Sequence, residues 1–352
     1  MKRKQKPQKK PSTKVEGFNT LGENGTNKAG QRPVFISGNG SDLSNDEVLK
    51  GRAKRKFITQ NMMLNLMDVA KEKGDNEKQK AYWNTYYCQN RVTSVEGRLY
   101  GNYCKNRFCT LCCSIRKAEI INRYYPIIEQ WEEPYFVTLT VKACSAGRLR
   151  VIVKKVMQGF QMIKERHKKN YQRGKGIKLI GVKSLECNFN PVKKTYNPHL
   201  HIIVANKEMA EILIKDWLKL WTPKFAQRQA QDMREIFNAE TGLIEIIKYG
   251  SKIFTEPDMK KKGINASYQI YISALDNILS AMKGIRIFER FGFNAEKKEK
   301  VIIKEPQQVF SYEEYEFNPH LFDWQNTASD KVLTGYKPKP QLAAILSSCI
   351  DL

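Results

Sequence analysis

The sequence predicts an α+β fold, and three features carry that prediction. Residues 134–141, PYFVTLTV, are rich in β-branched and aromatic side chains and read as a central strand. Residues 178–189 and 196–204 flank a polar turn at 190–195 and read as an antiparallel hairpin. Long segments between these strands repeat apolar residues at helical spacing, notably 149–172 and 207–225.

Composition narrows the functional class. The 352 residues, 41% of them apolar, supply one large or two modest cores. No run has the length of a membrane span, and the lysine-rich N-terminus lacks the apolar stretch of a signal peptide. The expectation is a cytoplasmic protein with no membrane partner. In that reducing compartment the eight cysteines point to metal ligation or buried thiols rather than disulfides. Lys and Arg number 61 against 36 Asp and Glu, a formal charge of +25. So large an excess, interleaved with 11% aromatic residues, suits a polyanionic partner, with nucleic acid first.

Four regions follow in order. Residues 1–50 form an expected disordered basic tail, with seven basic and no acidic residues in the first fourteen. Residues 51–130 form a helical and cysteine-rich region. One helix runs through Phe57, Met63, Leu66 and Val69, and a second carries Tyr82, Trp83, Tyr86 and Tyr87. Cys88, Cys104, Cys109 and Cys112 then fall at spacings that let four thiolates reach one tetrahedral Zn²⁺. Cys113 competes with Cys112 for the fourth place, and small buried apolar thiols are the alternative. Arg107, Arg116 and Lys117 around the knuckle would face a phosphate backbone. A helix over about 114–131 closes this region.

Residues 131–295 hold the expected strands and the candidate chemistry. His199 and His201, at i and i+2 of a strand, project to one face. Glu186 stands among Ile180, Val182 and Leu185, where a lone carboxylate is costly unless paired or metal-bound. On the neighbouring strand it can approach both imidazoles, giving a set with open positions for Mg²⁺ or Mn²⁺. Structural histidines satisfied by hydrogen bonds and an exposed edge-strand glutamate are the competing readings. Downstream, Glu245 and Tyr249 share a helix face at i and i+4, as do Lys248 and Lys252. A tyrosine between lysines and one turn from a carboxylate suits phosphoryl chemistry; an interfacial tyrosine on a solvated face is the alternative. His167, in a charged run, reads as a solvated surface residue, and residues 256–268 as a polar loop. Residues 296–352 read as an extended tail packing through Phe322, Trp324 and Tyr336, with no role for His320.

Taken together these motifs resemble the plasmid rolling-circle replication initiators of the HUH endonuclease superfamily, in the branch with a single catalytic tyrosine. Residues 136–140, FVTLT, are similar to the first motif of that family, and NPHLH at 197–201 resembles the second, H-P-H-x-H, with Asn197 replacing its first histidine. Residues 245–252, EIIKYGSK, resemble E-x-x-K-Y-x-x-K, and AMKGIR at 281–286 is similar to a downstream A-x-K-G-x-R block. The cysteine knuckle also occurs in this branch. The resemblance runs from Cys88 to about Gly292 and implies a central antiparallel sheet flanked by helices. It implies a divalent ion on His199, His201 and Glu186, and attack by Tyr249 on a phosphodiester of a single-stranded or hairpin plasmid origin. Glu245 would activate water, Lys248 and Lys252 would assist electrostatically, and host helicase and polymerase would be partners. A related transposase and a non-enzymatic zinc-knuckle nucleic-acid-binding protein are the competing functions.

Overall fold

Capping side chains set the first helices. The computed structural model describes residues 34–36, 40–251, 270–295, 306–347 and 349–350. Within them β1 (Val34–Ile36) and β2 (Ser41–Asp42) precede α1 (Asp46–Glu72). The Asn45 side chain accepts from the Val48 amide at 3.1 Å, and Asp46 and Glu47 complement the positive end of the helix dipole. Gly74, at φ 64°, reverses the chain, and Asp75 caps α2 (Asn76–Tyr86) through the Lys78 amide. β3 (Arg91–Val95) and β4 (Arg98–Gly101) then form a hairpin that the sequence did not signal. Its two turn residues, Glu96 and Gly97, both take positive φ, 47° and 71°, as a type I′ turn requires. α3 (Thr110–Ile128) starts earlier than the expected 114, because the Cys109 sulfur accepts from the Cys112 amide and caps it.

The expected hairpin is the centre of the main sheet. Its strands are β5 (Tyr135–Thr140), β6 (Gly181–Asn190), β7 (Thr195–Val204), β8 (Asp232–Glu235) and β10 (Phe288–Phe291). Between them run α4 (Ala146–Gln172), α5 (Lys207–Phe225), α6 (Ala239–Ser251), the short β9 (Ile270–Tyr271) and α7 (Ile272–Met282). The strand order is β10-β6-β7-β5-β8, antiparallel throughout. Alternation sorts the side chains between two faces. Val137, Leu139, Leu185, Leu200 and Ile202 pack with Val153 and Phe160 of α4, Leu213 and Trp217 of α5 and Ile278 of α7. Phe136, Val182 and Ile203 pack the other way, against Tyr124 and Ile128 of α3 and Leu243 and Ile246 of α6. With both faces covered, β6 and β7 are buried almost end to end.

The described residues of the C-terminal segment pack through Phe322, Trp324 and Tyr336 as expected, but in regular strands rather than as an extended tail. β11 (Gln307–Val309) pairs with β1, and β12 (Glu313–Asn318) pairs with both β3 and β13 (Asp323–Asn326). The result is a second antiparallel sheet in the order β13-β12-β3-β4-β2. Trp324 is fully buried in its core with Val92, Leu99, Tyr315 and Phe317, and its indole N–H donates to the Gln89 carbonyl at 2.8 Å. Val34–Ile36 and Ser41–Asp42 are strands and α1 begins at Asp46, so regular structure occurs before residue 50. α8 (Pro340–Ser347) packs Leu342 and Leu346 against α1, and β14 (Cys349–Ile350) pairs with β9 in parallel. His167 is also not a free surface residue: its Nε2 lies 2.7 Å from Asp216 of α5 and it is only 15% exposed. The expected loop at 256–268 lies outside the described residues.

α7 joins the N-terminal layer to the sheet. Ile272, Leu275 and Leu279 enter the core of α1 and α2, while Ala274, Ile278 and Met282 enter the sheet core. Between these stripes Asp276, 1% exposed, accepts from Lys73 at 2.8 Å, Lys78 at 3.1 Å and the Tyr82 hydroxyl at 2.8 Å. Burial alone pushes this carboxyl up, but the hydrogen bonds from Lys73, Tyr82 and Lys78 outweigh it and hold it below the ordinary 3.8. A depressed carboxylate stabilises the fold above its unfolded pKa, and the contribution disappears as pH falls through the folded value. Asp276→Asn is therefore expected to lower urea stability by about 2 kcal/mol at neutral pH. The gap to the wild type should close below about pH 4; a gap that persists in acid would contradict the assignment. Trp324→Ala should cost about 3–5 kcal/mol, whereas a loss under about 0.5 kcal/mol would mean that the C-terminal strands are peripheral.

Candidate active site

The register of the central hairpin builds the site. Glu186 stands opposite His199, and Ser184 opposite His201, across β6 and β7. On the other side of β7, Thr140 faces His199 and Thr138 faces His201 from β5. All six residues share the sheet face covered by α3 and α6. Glu186 Oε2 lies 3.3 Å from His199 Nε2 and 3.0 Å from His201 Nε2, and the three residues are 3–6% exposed. The sequence-level approach of Glu186 to both imidazoles is thus met in the fold.

Hydrogen bonds on the far ring nitrogens orient both imidazoles. His199 Nδ1 lies 2.9 Å from the Asn197 carbonyl, which can only accept, so in the neutral ring the proton sits on Nδ1 and the Nε2 lone pair faces Glu186. His201 Nδ1 lies 3.2 Å from the Thr138 hydroxyl, which serves either tautomer. Burial pulls the His201 pKa below its ordinary value, and the Glu186 hydrogen bond opposes this only in part. A lone pair and a carboxylate oxygen held 3.3 Å apart repel unless a proton or cation lies between them. Two imidazole nitrogens and one carboxylate, all within 4.8 Å of one another, are a donor set that fits a divalent cation with open positions.

Side chains that sequence reasoning passed over complete this face. Arg234 of β8 stacks over Phe136 at 4.7 Å and its guanidinium donates to Glu245 of α6 at 2.5 Å. Glu245 is close enough to His201 to act on it electrostatically. Asn197, at the position of the missing histidine, accepts from the Thr140 hydroxyl at 2.9 Å, and Gln231 receives the Thr140 amide at 2.8 Å. Neither Arg234 nor Gln231 belongs to a motif, so only the fold reveals them. Lys248 and Tyr249 lie on the last turns of α6, Tyr249 one turn after Glu245; their side chains, like Lys252 as a whole, lie outside the described residues.

The cysteines form a second cluster. Cys88, Cys104, Cys109 and Cys112 place their sulfurs within 4.8 Å of one another, with Cys88–Cys112 at 3.7 Å and Cys104–Cys112 at 3.6 Å. Tetrahedral Zn–S bonds of about 2.3 Å put sulfurs about 3.8 Å apart, so the spacing fits that ion. Hydrogen bonding from Cys109 and Cys112 holds Cys104 low, while the same crowding pushes Cys109 up. Four such thiols therefore do not all ionise without a cation among them. Cys113 turns away, donating to the Arg107 carbonyl at 2.9 Å, and burial pushes it up to about 11. Lys56, fully buried, donates to the carbonyls of Tyr86 at 2.7 Å and Cys88 at 2.9 Å, and burial pulls it down to about 8.

Comparison with known proteins places the chain. A family model described as replication protein matches residues 98–316, which span the hairpin, α6 and three of the four clustered cysteines, but not Cys88. Protein rep of Staphylococcus aureus is 28% identical over 216 residues, covering 56% of this chain and 87% of that protein. Protein rep of Bacillus amyloliquefaciens is 28% identical over 185 residues, 44% of this chain and 53% of its own length. Protein rep of Streptococcus pneumoniae is 31% identical over 119 residues, 31% of this chain and 35% of its own. No solved structure matches the chain. A match running through both the imidazole–carboxylate cluster and α6 shows that this chain belongs to the replication protein family of plasmid rolling-circle replication initiators.

Proposed function

We propose that this initiator nicks one strand of its plasmid origin by tyrosine transesterification. The observation that carries the reading is the convergence of Glu186, His199 and His201 on one sheet face, with Glu245 of α6 beside it. A divalent ion, Mn²⁺ or Mg²⁺, held by those three residues would polarise the scissile phosphate. The Tyr249 hydroxyl attacks the phosphorus, forming a P–O bond to the phenolic oxygen as the bond to the 3′ oxygen breaks. The phenolic proton leaves Tyr249, and the departing 3′ oxygen takes up a proton to become the 3′-OH used by a host polymerase. Lys248 and Lys252 neutralise charge on the phosphoryl oxygens. Arg234 holds Glu245 in place, so that it can take a proton from the water that ends the cycle. The expected setting is the cytoplasm, with host helicase and polymerase as partners. No described helix is long and apolar enough to cross a membrane.

Zn²⁺ on Cys88, Cys104, Cys109 and Cys112 would be structural, tying the end of α2 to the start of α3 beside α1. Lys56 offsets the negative charge of four thiolates from within the core.

Incubation with a labelled single-stranded origin and Mn²⁺ should give label carried by protein on a denaturing gel. Tyr249→Phe should abolish that adduct, by about 10³-fold or more; an adduct that survives the change would sink the nucleophile assignment. Denaturation in a zinc indicator should release about one equivalent of zinc from the wild type. Cys112→Ser should lose it and Cys113→Ser should keep it, while the reverse pattern would move the fourth ligand to Cys113.

A further inference from the structure

A cleft of about 540 Å³ separates the cysteine cluster from the main sheet. Lys105, Arg107, Arg116, Lys117 and Arg286 line it, and no carboxylate stands among its described lining residues. Backbone carbonyls hold two of these cations in place: Arg107 donates to Met282 at 3.3 Å and Arg116 to Lys105 at 3.1 Å. Like charges gathered in a half-buried wall gain most from an entering anion.

Position and shape say which anion. The lining of the cleft includes Ser184, whose partner on the neighbouring strand is His201, so the cleft lies one strand away from the imidazole–carboxylate cluster. A second cleft of about 360 Å³ shares Lys105 and Arg107 and continues toward α2 past Lys78 and Lys283, where Glu77 pairs with Lys283 at 3.4 Å. Ile120 and Phe288 set apolar and aromatic surface between the cations. Cations that track a backbone and an aromatic ring between them suit an unpaired strand, whose phosphates and base faces are both accessible.

We propose that this cleft is the track of the DNA single strand, with Arg107, Arg116 and Arg286 on phosphodiesters that flank the scissile one. The direction of the track rests on the nicking reading of Glu186, His199 and His201, but binding in it needs neither the divalent ion nor Tyr249.

The test is fluorescence anisotropy of a labelled short single strand with the full chain and no added divalent ion, over a salt series. Arg107→Gln combined with Arg286→Gln should weaken binding about tenfold at low salt and flatten the log–log salt slope by about 1.4 for two lost phosphate contacts. Arg116→Gln with Lys117→Gln, on α3, should do the same and serves if the first pair disturbs folding. Wild-type affinity and slope in a folded pair, or a loss confined to duplex DNA, would overturn the proposal. Adduct formation by the wild type with Mn²⁺ on the same strand is scored separately. If binding depends on these arginines and no adduct forms, the cleft stands and the nicking reading fails. If an adduct forms and binding ignores them, the cleft fails and the nicking reading stands.

Discussion

The pairing of Glu186 with His199 across β6 and β7 is the constraint on which the rest depends. Side chains alternate faces along a strand, so a slip of one residue would send Glu186 into the aliphatic core under α4 and leave the imidazoles facing apolar side chains. Burial prevents that slip. Leu185 and Leu200 are almost inaccessible on one face and Val182 and Ile203 on the other, so a one-residue slip would set the carboxylate among aliphatic side chains. The turn through Lys194, at φ 47°, closes the hairpin in that same register. Site and core are thus specified by one alignment.

Around this hairpin the molecule is assembled from parts distant in the chain. α7 presents one apolar stripe to the N-terminal helices and another to the sheet, with Asp276 locked between them. The cysteine cluster fixes the start of α3, whose later turns cover the sheet face that holds the histidines. The cluster therefore lies one helix away from the proposed chemistry, and the basic cleft occupies the space between.

Much of the candidate site was legible in the sequence because chemical identity and spacing coincide there. An H-x-H in an apolar strand, a glutamate isolated among aliphatics and a C-x-x-C each announce themselves within a few residues. The central strands and long helices were legible for the same local reason. The second sheet was not, because β12 meets β3 across more than two hundred residues, and neither strand alternates cleanly enough to predict the other. Tyr315 and Phe317, set between the charged Glu314, Glu316 and their neighbours, reveal their inward role only in the fold, where they pack with Trp324. Arg234 and Gln231 were silent because a lone arginine or glutamine has no motif, and their importance lies only in what they reach. The charged run around His167 does not announce its pairing because Asp216, its partner, sits on another helix.

The central claim is that two imidazoles and a carboxylate on this hairpin hold one divalent ion, and pulsed electron paramagnetic resonance of bound Mn²⁺ tests it most directly. The account predicts a single bound ion whose spin is modulated by nitrogen from both His199 and His201, with that modulation reduced in His201→Ala and ion binding lost in Glu186→Ala. A bound Mn²⁺ showing no imidazole nitrogen, or a nitrogen signal unchanged by His201→Ala, would contradict it.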